Sequence, residues 1–376
     1  MTTDPATAHR MRASGSSGDR HGPAAPGSAE GTDGRDASGE RPSWSVDITE
    51  EEWEAAVTRI HEVGESGTAI GLACHADPDG DALGSLLALH LFLRRLGYET
   101  VASWGSDPFV VPPQYTFLPG LHTLLPPHEF PDEPELLLTF DAGCTERLGL
   151  LTPAAARTKT LIVVDHHESN DRFGDVNLVA PHAAATVVLV DELVRRLGGS
   201  PDRDIAACLY TGLVTDTGRF QYRNVDRSTM ELGSRLIGKG IEHAEISRQM
   251  FDTHSFGYLK VLGRVLARST FVPEASLVYS WVEQADLDRF GVALEETEGI
   301  IDVLRSADAA EVTMVIKEQA DGEWRVSLRS KGRTDVGALA HEFGGGGHPF
   351  SAGFVFDGSR EAAVSRVVHL LAAQDR

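Results

Sequence analysis

His75, Asp77, Asp79 and Asp81 fall within seven positions, directly after an apolar run over residues 69–74. Three more acid or histidine groups take the same kind of place: Asp141 after 136–140, Asp165-His166-His167 after 161–164, and Asp216 after 209–214. Carboxylates are poor strand and helix-interior residues and are costly to gather in apolar surroundings. Their repeated placement at the ends of buried segments implies that something positive sits between them, and a pair of divalent cations is the simplest such object. Taken singly, each Asp reads equally well as an N-cap or turn residue, and a lone His as an ordinary polar one. Four ligand-type residues in seven positions after a buried strand are not covered by that reading. Imidazole mixed with carboxylate and no thiolate suits Mn, Fe(II), Co, Zn or Mg, with Mn favoured where carboxylates predominate. Cys74 and Cys144 adjoin these groups but read as small buried apolar residues.

The elements that must position these side chains are legible from periodicity. Pro78 and Gly80 argue against a helix through residues 75–81 despite the i, i+4 spacing of His75 and Asp79, so the segment reads as a loop that enters a helix near Leu83. Apolar runs of strand length at 69–74, 100–104, 136–140 and 161–164 alternate with helical patterns such as 83–96. That alternation predicts an α/β fold, an N-terminal parallel sheet with helices on both faces and with ligands at the carboxyl ends of its strands. Asp141, ending a strand near the first, could then bridge two cations. Thr49 and Glu52 have capping-box spacing and open a helix with Trp53, Val57 and Ile60 on one stripe.

After Asp165 the pattern is helical, at 184–197, 205–214, 228–237 and a connecting segment from about 244 to 266. Strands return at 277–282, 312–317 and 324–328, with helical patterns at 296–304 and 336–343, as in a smaller α/β domain. Val364, Val367, Val368 and Leu371 give a last helix a stripe that should pack on that sheet. The expected division is a disordered tail over 1–46, rich in Gly, Ser, Pro, Asp and Arg, a catalytic domain over 47–242, a helical linker over 243–268 and a second domain over 269–376.

A chain of 376 residues, 41% of them hydrophobic, can bury a sizeable core. The net charge of -22 argues against a broad cationic face for long duplex nucleic acid, while small anions held by metal remain compatible with it. Three cysteines with no C-x-x-C pairing suggest neither a disulfide framework nor a zinc ribbon, and fit a reducing compartment. No run is long enough for a membrane span and no apolar secretory segment is visible, so a cytoplasmic protein is expected.

Taken in order, the four clusters resemble the DHH phosphoesterase family, named for the tripeptide that Asp165-His166-His167 reproduces. The first motif is residues 75–84, the second Asp141, and the fourth Asp216 within the Gly-Leu-Val-Thr-Asp-Thr-Gly of 212–218. The C-terminal part resembles the DHH-associated domain, in Arg329-Ser330, in the glycines of 344–347 followed by His348, and in Ser351-Ala352-Gly353. The resemblance covers nearly all of the chain after the tail. It implies one metal at His75, Asp79 and Asp141 and another at Asp81, Asp141, His166 and Asp216, with Mn2+ expected and Asp141 bridging. It further implies that Asp165 orients a metal-bound histidine and that His167 faces the phosphate; Asp77 joins Asp141, Asp165 and His167 among the catalytic candidates. Substrate contacts are expected from Arg329, Ser330, Gly345, Gly346, Gly347 and His348, the glycines offering backbone amides to an anion. Read alone, such a glycine run is a flexible linker. Arg219 and Arg223 could hold a second phosphate, or be solvated surface residues.

Length and domain pairing are similar to the nanoRNase branch of that family, also called bifunctional oligoribonuclease and pAp phosphatase. That branch cleaves very short oligoribonucleotides to mononucleotides and dephosphorylates adenosine bisphosphate, and some members act on cyclic or linear di-adenylate. The resemblance therefore implies small nucleotide partners, no membrane, and a homodimer as a common assembly. RecJ-type exonucleases share the motifs but are larger. A manganese pyrophosphatase would carry a basic Arg-Lys cluster in its second domain, and a cyclic-dinucleotide sensor without turnover need not keep a full set of ligands.

Overall fold

Short apolar runs ending in acids become adjacent strands. The computed structural model describes residues 42–319 and 322–374. Helix α1 (Glu50–Glu65) opens with the expected capping box, in which the Thr49 hydroxyl accepts from the Glu52 amide and the Glu52 carboxylate accepts from the Thr49 amide. There follow β1 (Ile70–Cys74), α2 (Gly80–Arg95), β2 (Thr100–Trp104), β3 (Leu137–Phe140), α3 (Thr152–Arg157), β4 (Leu161–Asp165) and β5 (Val176–Val179). The five strands are all parallel, in the order β2-β1-β3-β4-β5. β5 lies in a stretch expected to lead straight into helix. Four residues are too few to show a period, and Asn177 within it exchanges side-chain hydrogen bonds with the backbone of Gly174.

Alternation assigns the two faces of the sheet. Leu72, Cys74, Leu138, Phe140, Ile162 and Val164 pack with α1, α2, α4 (Thr186–Arg196) and α5 (Arg203–Asp216). Ala73, Leu137 and Val163 point the other way, under α3 and the 3-10 run Thr145–Leu151. The expected tail reaches into described structure at its end: residues 1–41 lie outside the described residues, but Ser43–Val46 form a 3-10 turn whose Trp44 sits edge-on to Trp53 at 6.5 Å.

His90 on α2 is fully buried with both ring nitrogens engaged, by Thr123 Oγ1 at 2.9 Å and Thr100 Oγ1 at 3.0 Å. Burial, with a smaller push from Arg94, lowers its pKa from 6.5 to about 4. Because the folded state resists a proton that the unfolded chain accepts, stability is complete above pH 6.5 and declines as the pH falls towards 4. The expected loss is about 3 kcal/mol. Urea unfolding at pH 7 and pH 4.5 should show that extra loss in the wild type and not in His90→Gln.

The chain continues through α6 (Arg227–Ile237), α7 (His243–Phe251) and α8 (Phe256–Ala267) to β6 (Thr270–Val272), β7 (Leu277–Val282), α9 (Gln284–Phe290), α10 (Ile300–Arg305), β8 (Val312–Glu318) and β9 (Trp324–Ser330). It ends with α11 (Val336–His341), β10 (Gly346–His348), β11 (Ser351–Phe356) and α12 (Arg360–Gln374). The second sheet is mixed, ordered β10-β11-β9-β8-β7-β6, with only β7 and β8 parallel. Val367 and Leu371 of α12 pack on one face with Met314 and Ile316, as the stripe predicted, while Val278, Val282 and Val315 face α8, α9 and α10. Among the described residues no helix is long and apolar enough to cross a membrane.

Candidate active site

β1 leads into His75, β3 into Asp141, and β4 ends on Asp165 with His166 and His167 next, so the carboxyl ends of three neighbouring parallel strands share one edge. Asp141 adopts a left-handed backbone, φ 56°, which a residue with a Cβ keeps only where its surroundings hold it. Its amide donates to Val164 O at 3.0 Å and its Oδ1 accepts from the Thr186 hydroxyl at 2.9 Å. α2 starts earlier than the expected position near Leu83, because Asp79 Oδ1 caps it by accepting from the amides of Asp81 and Ala82 at 3.0 and 3.1 Å. Asp81 thus lies in the first turn, fully buried, and its two oxygens accept from the amides of Thr186 at 2.5 Å and Val187 at 3.0 Å, at the start of α4.

Asp216 arrives on the last residue of α5, which crosses α2 closely because two glycines allow it. A Cβ on Gly84 would lie 2.5 Å from Cys208 O, and one on Gly212 would lie 2.8 Å from Asp81 Oδ1 and 2.6 Å from Val187 Cγ1. Gly212→Ala is expected to cost about 2 kcal/mol by overpacking. It should lower the melting temperature and the activity together, since the atom it displaces is an Asp81 oxygen.

Four groups of donor atoms lie within 4.8 Å of one another: His75, Asp79 and Asp141; Asp81, Asp141 and His166; Asp141, Asp165 and His167; and His166, His167 and His348. Asp141 belongs to the first two, its Oδ2 being 3.5 Å from His75 Nε2 and its Oδ1 3.6 Å from His166 Nε2. Asp216 Oδ2 lies 2.9 Å from the same His166 nitrogen. The charge balance of this cluster asks for cations. Burial and the Asp141 and Asp216 carboxylates push the Asp81 carboxyl well above its usual range. Burial, aided by Asp79 and Asp141 and opposed by His166, raises Asp216 to about 6. Against burial, the Asp141 and Asp79 carboxylates raise His75 to about 10.

The His166 Nδ1 donates to Ala183 O at 3.1 Å, which leaves the buried Nε2 facing the acids, with Asp216 Oδ2 2.9 Å away. His75 is oriented in the same way by its bond to Ala76 O at 2.7 Å. Oxygen and imidazole donors, short of positive charge and fixed from behind, fit divalent cations. His75, Asp79 and Asp141 could hold one, and Asp81, Asp141, His166 and Asp216 another.

Asp165 is fully buried, with Oδ1 accepting from His167 Nδ1 at 2.8 Å and Oδ2 from Asn170 Nδ2 at 2.6 Å. The resemblance implied a metal-bound histidine as its partner, but Asp165 orients His167, and a backbone carbonyl orients His166. His348, at the end of β10, stacks on His167 with ring centroids 4.2 Å apart and lies 4.5 Å from the His166 ring, so the second sheet closes the cleft from above. Arg329 donates through Nη1 to Leu328 O, while its buried Nε has no hydrogen-bond partner and lies 3.9 Å from Asp302 Oδ1.

Other expected contacts are turned elsewhere. Asp77, φ 53°, receives the Ser106 hydroxyl on Oδ1 and lies 4.0 Å from Arg325. Ser330 is fully buried, its hydroxyl donating to Glu311 Oε1 at 3.2 Å and accepting from the Gly332 amide at 2.9 Å. Arg219 lies over the Phe251 ring at 4.1 Å, and Arg223 packs on Gly332. Gly346 and Gly347 stand in β10, and the close approach of β11 leaves no room for a side chain at 345 or 347. Thr186 and Asn170, which hold Asp81, Asp141 and Asp165, were not singled out in the sequence. Only the position of Thr186 near the start of a predicted helix hinted at it.

A parallel sheet that gathers such a cluster at its strand ends, under a second mixed sheet, defines a phosphoesterase. The chain belongs to the DHH family: residues 69–213 match the DHH family N-terminal domain and residues 274–373 the DHHA1 domain. It is 32% identical over 290 residues to the bifunctional oligoribonuclease and PAP phosphatase NrnA of Thermus thermophilus, covering 77% of this chain and 84% of that one. To the protein of the same name from Bacillus subtilis it is 26% identical over 283 residues, covering 74% and 86%. The crystal structure of an exopolyphosphatase-related protein from Bacteroides fragilis matches with a TM-score of 0.76 at 25% identity, over 87% of this chain and 97% of that one.

Proposed function

We propose that the chain hydrolyses short oligoribonucleotides such as pApA to mononucleotides, and adenosine 3′,5′-bisphosphate to AMP, with cyclic di-AMP as a further substrate. The observation that carries this reading is the convergence of His75, Asp79, Asp81, His166 and Asp216 around Asp141. The names of the relatives supply the substrate class. When bound, two divalent cations, Mn2+ being the expected pair, would draw in phosphate oxygens, acidify water and offset charge building up at phosphorus.

The remaining work falls to the chain itself. His167, held at Nδ1 by Asp165, offers Nε2 to the leaving oxygen, and Arg329 and His348 receive the nucleotide from the second sheet. Residues 47–242 would carry the chemistry, 243–268 the connection and 269–376 substrate recognition, in a cytoplasmic protein that a second copy is free to join as a homodimer.

Purified protein with Mn2+ should convert pApA to AMP and release phosphate from the bisphosphate. Chelation should abolish both, and added Mn2+ should restore them. Hydrolysis of pyrophosphate alone would instead favour a pyrophosphatase. Tight cyclic di-AMP binding without turnover would favour a sensor.

A further inference from the structure

One polar stripe looks onto the cleft and has no part in the chemistry above. Glu298, Asp302 and Arg305 stand at i, i+4 and i+7 along a helical path, since Glu298 and Gly299 both have right-handed helical backbone before α10. Ile300, Ile301 and Leu304 bury the opposite side. The stripe faces the catalytic side: the Arg305 guanidinium lies 5.0 Å over the ring of Tyr222, shortly after Asp216, and Asp302 faces Arg329.

Glu298 Oε1 accepts from Lys317 Nζ at 2.7 Å, and Lys317, on β8, is only 1% exposed. Burying an ammonium ion is expensive, and an apolar residue of the same size would serve packing as well or better. A strut for α10 explains one carboxylate oxygen. The other accepts no hydrogen bond among the described residues, and the side chain is 42% exposed. Against burial, Lys317, Arg325 and Arg329 hold this carboxyl at about 2, so it stays an ionised, acceptor-only group.

We propose that Glu298, fixed by Lys317, is a specificity residue whose free oxygen accepts a hydrogen bond from a neutral donor of the substrate's nucleoside, a sugar hydroxyl or a base amino group. An ionised carboxylate repels phosphate, and these are the donors a nucleotide offers it. The inference rests on the phosphoesterase reading above.

Glu298→Gln, as full-length Mn2+-loaded protein, should lose about tenfold in kcat/KM on pApA, the worth of one charge-assisted hydrogen bond. Hydrolysis of bis(p-nitrophenyl) phosphate, which has no nucleoside, should stay within about twofold, because no bond of the kind described is lost there. Loss in the variant of the preference for pApA over its deoxy counterpart assigns the sugar hydroxyl. Loss of the preference over the inosine counterpart assigns the amino group. If both preferences survive, or if both substrates slow equally, the proposal fails. A wild type that cleaves bis(p-nitrophenyl) phosphate but not pApA overturns the underlying reading, and this one with it.

Discussion

Asp141→Ala is expected to abolish hydrolysis of pApA and of the bisphosphate, by more than about a thousandfold, and to remove bound metal at both positions together. That exceeds the loss typical of a single transition-state donor, because this carboxylate is shared by the His75–Asp79 and the Asp81–His166 donor groups. Each oxygen has its own neighbour, Oδ2 by His75 and Oδ1 by His166 and the Thr186 hydroxyl, so no other side chain can take over the shared position. Fold stability should fall as well. Against burial, His75, His167 and His166 hold the Asp141 carboxyl well below its usual range, so in the metal-free protein its loss removes favourable pairing and leaves the Thr186 hydroxyl without its acceptor. The metal-free variant should therefore melt lower than the wild type, and Mn2+ should raise the melting temperature of the wild type alone. Metal content, a melting curve with and without Mn2+, and product analysis on one preparation check all three. A variant that still binds two equivalents of Mn2+ would break the shared-ligand assignment.

What the sequence made legible follows from where its information is local. An acid closing a short apolar run is visible without a fold, which is why His75, Asp81, Asp141, His166 and Asp216 could be marked and why they meet where neighbouring parallel strands end. Local signals also had limits. Pro78 and Gly80 pointed to a loop through Asp81, yet a proline two places before a helix and a glycine at its first position are compatible with Asp79 as the cap, so α2 begins at Gly80. β5 is too short to show its period.

Partnerships across the fold were hidden for a different reason. Whether Asp165 serves His166 or His167 depends on the direction each ring takes on leaving β4, and a tripeptide does not encode that. Ser330 and Arg219 looked like substrate contacts by position, but Glu311 and Phe251, distant in sequence, claim them. Glu298 and Lys317 gave no sign at all, because an exposed acid and a strand lysine are each ordinary until they lie 2.7 Å apart beside a cleft.

The partner of Asp165 carries the second large effect. Asp165→Asn is expected to lower kcat on pApA by about 10²- to 10³-fold, with KM and bound metal little changed, because it weakens a proton donor and leaves the ligand set intact. Both Asp165 oxygens now accept, from His167 Nδ1 and from Asn170 Nδ2. An amide can satisfy Asn170 only by turning its NH2 towards His167, which forces that ring to give up the Nδ1 proton and take the other tautomer. The imidazolium form, which a carboxylate stabilises and an amide does not, is then harder to reach, and the leaving oxygen loses its acid. The alternative, with Nδ1 still protonated, buries two facing donors at a cost of about 1–3 kcal/mol. A substrate with a p-nitrophenyl leaving group separates this from a structural defect, since p-nitrophenolate departs without needing a proton. The variant should lose far less on that ester than on pApA, and His167→Gln should repeat the pattern. Equal losses on both substrates would mean that His167 serves the phosphate itself, as a fixed hydrogen-bond donor to oxygens that stay on phosphorus, and Asp165 would then be only the group that aims it.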